Sequence, residues 1–382
     1  MPKIAILAGE ASGDLIGSQL ISYLNSKTKN LQFIGVGGPL MRKEGLVSYI
    51  DYSELSVHGY LDVYKKFFRL LFLRSKVISY FLKEKPNIFI GIDLPDFNFR
   101  IEKILKNNNI LTFHYVAPSV WAWRKNRIYT IKKNINRLFS VFPHELKIFK
   151  KAKVPVTFVG HPLANKIPLK PNTIKSRKRL NLSNNKIIAL LPGSRISEIK
   201  NHIDVIINSA NAINKEFNWE KLRRPEFVIP VNSKDNYHFI INSLNANKNR
   251  IENIKLIIGH SHDVICASDI VISVSGTATL EAALFKKPMI IIYKTSLFSW
   301  LLLKRMLLIP YIGLPNILLK KFIVPEFLQN DVTPEKISKE TIKILTNKKL
   351  QNNLNTVFKD LHLSLKRNSS EIIYKKIINY IK

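Results

Sequence analysis

Two acidic residues stand where a carboxylate can do chemistry. Asp93 follows an apolar run in Gly91-Ile92-Asp93-Leu94-Pro95-Asp96-Phe97-Asn98. A carboxylate at the tip of an apolar strand can accept a proton from a substrate hydroxyl, and partial burial would raise its pKa toward a useful range. Asp96 is the better candidate for capping the helix that follows. Asp93 is therefore read as the base and Asp96 as structural. Glu10 is the second acid, in Gly9-Glu10-Ala11-Ser12-Gly13-Asp14. The glycines permit a tight turn, and Ser12 or Asp14 can cap the next helix. A capped strand–helix turn accounts for that spacing as well as a ligand loop does. No Walker loop follows, and the pattern is not Gly-x-Gly-x-x-Gly.

Two further loops suit an anion. Leu191-Pro192-Gly193-Ser194-Arg195 opens a helix whose free amides can bind phosphate, and Arg195 adds a guanidinium that fits diphosphate oxygens. Ser194 and Arg195 with Glu198 equally resemble a capping arrangement. Val274-Ser275-Gly276-Thr277 repeats the pattern, with Glu281 one turn into the helix. Glu281 can reach ribose hydroxyls there, or simply pair with the helix dipole. No Asp-x-Asp occurs in the chain, so the expectation is a metal-independent site in which Arg195 and helix ends neutralise a leaving diphosphate. Gly35-Val36-Gly37-Gly38-Pro39 is either backbone close to a ligand or a turn. His114-Tyr115-Val116-Ala117-Pro118-Ser119-Val120-Trp121-Ala122-Trp123-Arg124 is either a sugar or acyl-chain platform or a tryptophan pair packing the domain edge.

The elements that must hold these loops follow from periodicity. Strands are expected at Ile4 to Leu7, Leu31 to Val36, Asn87 to Ile92, Ile110 to Val116, Phe139 to Val141 and Val156 to Val159. The rhythm restarts with strands at Lys186 to Leu191, Glu226 to Pro230, Lys255 to Ile258, Ile270 to Val274 and Pro288 to Tyr293. Helical spacing separates them, as at Asp14 to Leu24, Glu198 to Lys215, Asp235 to Leu244 and Thr277 to Leu284. Strand–helix alternation implies two doubly wound parallel sheets. Ligands then sit beyond the strands' carboxyl ends. His161 to Asn185, with Pro162, Pro168 and Pro171, has a linker composition. The expected domains are 1–165 and 166–350, with a helical tail at 351–382 packing back across them.

The 46% hydrophobic content is that of a globular chain able to bury a core. The one cysteine, Cys266, leaves no disulfide framework and no Cys-rich zinc site. It reads as a small buried filler in a reducing compartment. The start Met1 to Glu10 reads as a buried strand, not a signal peptide. No window reaches the roughly 18 uncharged apolar residues of a spanning helix; Lys304 and Arg305 interrupt the nearest, Ser296 to Leu319. The net charge of +33 fits nucleic acid, an anionic membrane surface or a Lys-, Asn- and Ile-rich compositional bias. The basic residues are spread along the chain rather than gathered in one stripe, which favours the membrane over nucleic acid. Tyr64 to Arg74, with Lys65, Lys66 and Arg69, mixes basic and large apolar residues as an interfacial helix does. Leu297 to Leu308 is a second such segment. Each is otherwise a core helix with a solvated basic edge.

Taken together, Gly9–Asp14, Gly91–Asn98, Ala117–Arg124, Gly160-His161-Pro162-Leu163, Leu191–Arg195 and Ser275-Gly276-Thr277 resemble the lipid-A-disaccharide synthase family, in the same order from residue 4 to about 330. The resemblance implies an α/β GT-B fold: two Rossmann-like doubly wound domains with an interdomain cleft. It implies an inverting, metal-independent transfer without cofactor. The donor would be UDP-2,3-diacylglucosamine and the acceptor 2,3-diacylglucosamine 1-phosphate, attacking through its 6-hydroxyl. Asp93 falls on the family's proposed base and Glu10 on an essential acid. Arg195, Ser275, Gly276, Thr277 and Glu281 fall on its donor contacts. The same motifs put Ser12, Gly13, Asn98, Ser119, Trp121 and Trp123 among the candidate substrate-binding residues. His58 replaces an expected Met, and Tyr60-Leu61-Asp62-Val63 replaces a related run; both are expected to tune the acceptor pocket. The implied place is the cytoplasmic face of an inner membrane, held peripherally by its anionic surface. No nucleic-acid partner is expected, and a homodimer is left open. The rival readings are a UDP-sugar epimerase, a peptidoglycan glycosyltransferase of the same fold, or a basic nucleic-acid-binding protein.

Overall fold

In a computed structural model of the protein, the described residues are 1–55, 63–121, 126–216, 224–247, 253–297, 300–301, 305 and 309–381; for 53 and 63–67 the description covers the backbone only. The chain divides into two compact units. One is Met1–Asn165 with Leu365–Lys382, and the other is Lys166–Ser364.

The first unit is built on a seven-stranded parallel sheet. Its strands are β1 (Lys3–Ala8), β2 (Gln32–Gly37), β3 (Leu46–Asp51), β4 (Ile88–Ile92), β5 (Leu111–Tyr115), β6 (Arg137–Ser140) and β7 (Val156–Phe158), in the order β3-β2-β1-β4-β5-β6-β7. β1 and β4 read as unbroken apolar runs because helices cover both faces of the sheet. Ile4, Ile6, Leu7, Ile88, Phe89 and Ile90 are wholly buried. The strand order reverses between β1 and β4, where Leu7 pairs with Gly91 and Ala8 with Ile92. Such a reversal leaves a crevice at the strands' carboxyl ends, because consecutive connections leave it in opposite directions.

The second unit repeats the plan with six parallel strands. These are β8 (Ile187–Leu191), β9 (Glu226–Val231), β10 (Ile254–Ile258), β11 (Ile270–Val274), β12 (Met289–Tyr293) and β13 (Glu326–Leu328), in the order β10-β9-β8-β11-β12-β13. Here the order reverses between β8 and β11, with Leu191 beside Ser273. The helix Ile196–Glu216 lays Ile199, Ile203, Ile206, Ile207, Ala210 and Ile213 against this sheet at helical spacing. Cys266 is buried, as its apolar surroundings imply.

The expected strands all form, and the two-sheet α/β class is borne out. Periodicity missed the edge strands β3 and β13. In β3, Val47 and Tyr49 are exposed and the apolar run is diluted. β13 has three residues, all half-buried. The segment expected as linker instead carries helices Pro162–Lys166 and Thr173–Arg179. The second is tied into its unit by Arg177 on Asp269 at 2.8 Å and Arg179 on Asp263 at 3.0 Å.

Candidate active site

The first strand-order reversal brings together the two acids singled out in the sequence. Gly9, Glu10, Ser12 and Gly13 leave β1, and Asp93, Leu94 and Pro95 leave β4. With Ile92 they line a cavity of about 150 Å³. Glu10, Ser12 and Asp93 are exposed, whereas Gly13 is buried against Ala8 and Ile92. The partial burial expected of Asp93 is therefore not observed. Its backbone carries the unusual feature. Asp93 and Leu94 have φ of +50° and +49°, two successive side-chain-bearing residues in the left-handed region. That geometry costs on the order of 1–2 kcal/mol per residue and persists only where the surroundings enforce it. Here the Asp93 N–H donates to Tyr115 C=O at 2.8 Å, and the Asp93 carbonyl accepts from Asn98 Nδ2 at 2.7 Å.

That hydrogen bond corrects the reading of Asn98 as a substrate contact. Asn98 is fully buried in the helix Pro95–Asn107 and faces the protein. Asp96 does not cap this helix either. Leu94 holds the cap position, and Asp96 pairs with Arg127. Likewise neither Ser12 nor Asp14 caps the helix Ala11–Lys27, whose cap is Glu10 without a side-chain bond. Asp14 is buried and gathers the amides of Gly38, Leu40 and Met41 at 2.9–3.0 Å, fastening the start of Pro39–Lys43. The glycine run before it is packed against protein rather than left open to ligand. A Cβ on Gly35 would lie 1.9 Å from Ile6 O, and one on Gly38 would lie 2.3 Å from Tyr52.

His114, which opens the tryptophan-bearing segment, lies inside β5, within the strand expected at Ile110 to Val116, and has no exposed surface. Its Nδ1 is 2.7 Å from Glu102 Oε1, and Glu102 is equally buried. Burial pushes the Glu102 carboxyl above its usual range, while the adjacent His114 pulls it back. Glu102 was missed in the sequence. Its signal was a charge four residues after Asn98 and three before Leu105, on the helix's buried face.

In the loop after β5, Ser119 and Trp121 are half-buried. Trp121 Nε1 donates to Glu145 Oε1 at 3.1 Å, so its one polar group is committed to an internal partner. Ser140 Oγ bonds the other oxygen of that carboxyl at 2.6 Å. Burial pushes Glu145 up to about 7 against these hydrogen bonds. His161 is half-buried against the Phe142 ring, 5.3 Å away between centroids, and desolvation pulls it down to about 4. Trp123, Arg124, His58 and Tyr60-Leu61-Asp62 lie outside the described residues, and the side chains of Lys65 and Lys66 do too.

At the second reversal, the loops after β8 and β11 carry the residues read as anion-binding. Glu198 Oε2 already accepts from the amides of Ser194 at 2.9 Å and Arg195 at 3.2 Å. Gly193, at φ +118°, makes room for it: a Cβ there would lie 2.5 Å from Glu198 Cβ. The capping arrangement is thus the one formed. Arg195 is exposed. The loop after β11 differs. Gly276 and Thr277 are exposed, and a Cβ on Gly276 would meet nothing within 4 Å. Ser275 Oγ is tied to Ile312 C=O at 2.7 Å, and Glu281 pairs with His262 at 3.3 Å. His202 was also missed. Its Nε2 accepts from the Lys294 amide at 2.8 Å and its Nδ1 meets Glu198 C=O at 2.7 Å, bracing the helix after β8 against the end of β12.

Two doubly wound parallel sheets, each with a strand-order reversal, define the class: a two-domain α/β protein of the GT-B fold. Its fold is shared with UDP-GlcNAc 2-epimerase from Neisseria meningitidis bound to UDP-GlcNAc, at a TM-score of 0.62 and 13% identity, covering 99% of this chain and 100% of that one. It is shared too with the glycotransferase of kitacinnamycin, at a TM-score of 0.61 and 11% identity, covering all of both chains. The chain belongs to the lipid-A-disaccharide synthase family. The family model described as lipid-A-disaccharide synthetase matches residues 4–377. The lipid-A-disaccharide synthase of Methylobacillus flagellatus is 41% identical over the whole of both chains.

Proposed function

We propose that this enzyme joins UDP-2,3-diacylglucosamine to 2,3-diacylglucosamine 1-phosphate, forming the β-1,6-linked lipid A disaccharide 1-phosphate and UDP. The observation that carries this reading, beside family membership over residues 4–377, is the meeting of Glu10 and Asp93 around one cavity at the first reversal. Asp93 takes the proton from the acceptor 6-hydroxyl as that oxygen bonds the donor's anomeric carbon. The bond from that carbon to the diphosphate breaks on the opposite face, which inverts the configuration. Charge develops on the departing UDP. Amide hydrogens and a guanidinium fixed in advance stabilise such charge without reorganising. Gly276, Thr277 and Arg195 are assigned that task. The open surface at Gly276 supports this more directly than the Ser194 amide, which Glu198 covers.

No helix among the described residues is long and apolar enough to cross a membrane. The acyl chains of both substrates nevertheless require contact with a bilayer. On the helix Val63–Glu84, Phe68 and Phe72 are 65% and 59% exposed beside the exposed Arg69 and Lys76. Apolar side chains flanked by cations suit the cytoplasmic leaflet of an inner membrane. The test is UDP release from acylated UDP-glucosamine with and without lipid acceptor, with the product's mass determined. Acceptor-dependent release and a disaccharide phosphate support the reading. Release without acceptor, or transfer to an unacylated sugar as fast as to the lipid, overturns it.

A further inference from the structure

The Asp93–Leu94 turn is held from beneath by polar groups that cannot touch substrate. Asn98 Nδ2 donates to the Asp93 carbonyl at 2.7 Å, and the Asn98 backbone N–H donates to Leu94 C=O at 3.0 Å. One residue thus grips both strained peptides. Behind it, Glu102 lies one helical turn on, and its carboxyl meets His114 on the neighbouring strand. Gly91 pairs in register with His114. A Cβ at Gly91 would stand 2.7 Å from Glu102 Oε1 and 3.0 Å from Asn98 Cγ. Strand β4 therefore has no side chain at the one place where these polar groups press against it. Phe99 closes the cluster, its ring 5.0 Å from that of His114.

This arrangement is costly. Asn98, Glu102 and His114 have no exposed surface. Asn98 Oδ1, Glu102 Oε2 and His114 Nε2 find no hydrogen-bond partner among the described residues. An apolar core of the same shape would be the more stable choice. What the polar cluster supplies that an apolar one cannot is a directed donor on the Asp93 carbonyl, backed by a hydrogen-bonded pair.

We propose that Asn98, braced by the buried Glu102–His114 pair across Gly91, is a positioning residue. It fixes the Asp93–Leu94 turn so that the Asp93 carboxylate meets the acceptor hydroxyl in reacting geometry. The inference rests on the reading of Asp93 as the base. Misplacement of a base by a fraction of an ångström lowers turnover more than ground-state binding.

The test is a double-mutant cycle on the full chain, with acylated UDP-glucosamine and 2,3-diacylglucosamine 1-phosphate as substrates. Asn98→Ala is expected to lower kcat about 10–100-fold while both KM values change less than about 3-fold. Asn98→Asp keeps the shape and replaces the donor by an acceptor, so it is expected to lose as much kcat. It also serves if the alanine variant does not fold. In an Asp93→Asn background, either Asn98 change is expected to cost less than about 2-fold, because there is no longer a base to position. An equal loss in both backgrounds overturns the positioning role and leaves the base standing. An unchanged kcat in Asp93→Asn itself overturns the base reading, whatever Asn98 does. A loss matched by a fall in folded fraction, read from near-ultraviolet circular dichroism, makes Asn98 merely structural and overturns the proposal. So does Asn98→Asp with the parent's kcat.

Discussion

The two strand-order reversals share a topology and differ in what they put at the rim. At the first, Glu10 and Asp93 follow β1 and β4, with Asp93 on strained backbone over a buried polar cluster. At the second, the loops after β8 and β11 open helices: Glu198 covers the Ser194 and Arg195 amides in one, and the other leaves open surface at Gly276. The strands beneath are alike, buried and largely apolar. A doubly wound sheet thus fixes where chemistry happens, and the residues following each strand fix which chemistry. Strain and carboxylates suit proton transfer, and relaxed helix starts suit holding an anion.

The sharpest way to break this contrast is to remove the charge on one side. Asp93→Asn is expected to lower kcat by about 10²–10⁴-fold, the usual range for general base catalysis, with UDP affinity unchanged. Steady-state kinetics with calorimetric UDP titration checks it. A collapse of UDP affinity would move Asp93 to the donor's side and erase the division of labour.

Much of this was legible in sequence, for a definite reason. Parallel strands buried on both faces are continuous apolar runs, so β1, β4, β8 and β11 declared themselves, and the loops after them followed. Asp93 and Glu10 were visible because acids at strand ends interrupt such runs. What stayed hidden depends on partners distant in sequence. Asn98 looked like a substrate contact, because a motif does not reveal which way a helix turns its amide. Asp14 looked like a cap for its own helix and instead fastens the next one, 24–27 residues on. Trp121 lies in the loop after β5 and Glu145 opens the helix Glu145–Lys151 after β6, and the β5–β6 pairing brings them together.

Those buried groups make the first unit's stability sensitive to pH in two opposed ways. Glu145 is raised from 4.5 to about 7, so the folded state holds a proton that the unfolded chain has already lost. Stability from this group falls as pH rises from 4.5 through 7. His161 is lowered from 6.5 to about 4, so the unfolded chain takes up a proton that the fold refuses. Its stability falls as pH drops from 6.5 through 4. Each effect is on the order of 3 kcal/mol, and they offset one another over the shared window. Glu145→Gln is expected to unmask a stability that climbs with pH between 4 and 6.5. His161→Gln is expected to unmask one that declines between 4.5 and 7. Urea unfolding at a series of pH values separates them, and parallel profiles for the two variants would refute the opposed burial effects.

A pair of glycine substitutions probes the rims more gently. Gly91→Ala drives a methyl into Glu102 and Asn98, at an expected cost of about 1–3 kcal/mol in stability, with turnover reduced as well. Gly276→Ala meets open space and extended backbone, so stability should change by less than about 0.5 kcal/mol. Its methyl would stand where the diphosphate is assigned, and UDP affinity should fall. Thermal unfolding and UDP titration of both variants give four numbers. If Gly276→Ala weakens folding and spares UDP, the second rim is packing rather than a binding surface.

The smallest expected effects concern the bilayer, and here too the units are separable. The first exposes Phe68 and Phe72 beside Arg69 and Lys76; the second exposes Leu297 and Leu301. Lys76 sits over the Phe72 ring at 4.5 Å, so cation and apolar surface occupy one spot. Each basic residue near anionic lipid adds about 1 kcal/mol, and salt screens that attraction. Neutralising Lys65, Lys66 and Arg69 should therefore weaken binding to phosphatidylglycerol-containing liposomes more at low ionic strength than at high. Phe72→Ser should weaken it equally at both, because apolar insertion is not screened. Leu301→Ser in the second unit supplies the comparison. If it releases the protein as fully as Phe72→Ser does, both units meet the membrane. Equal loss at every salt concentration for the charge variant would refute electrostatic attraction and leave the exposed phenylalanines as the anchor.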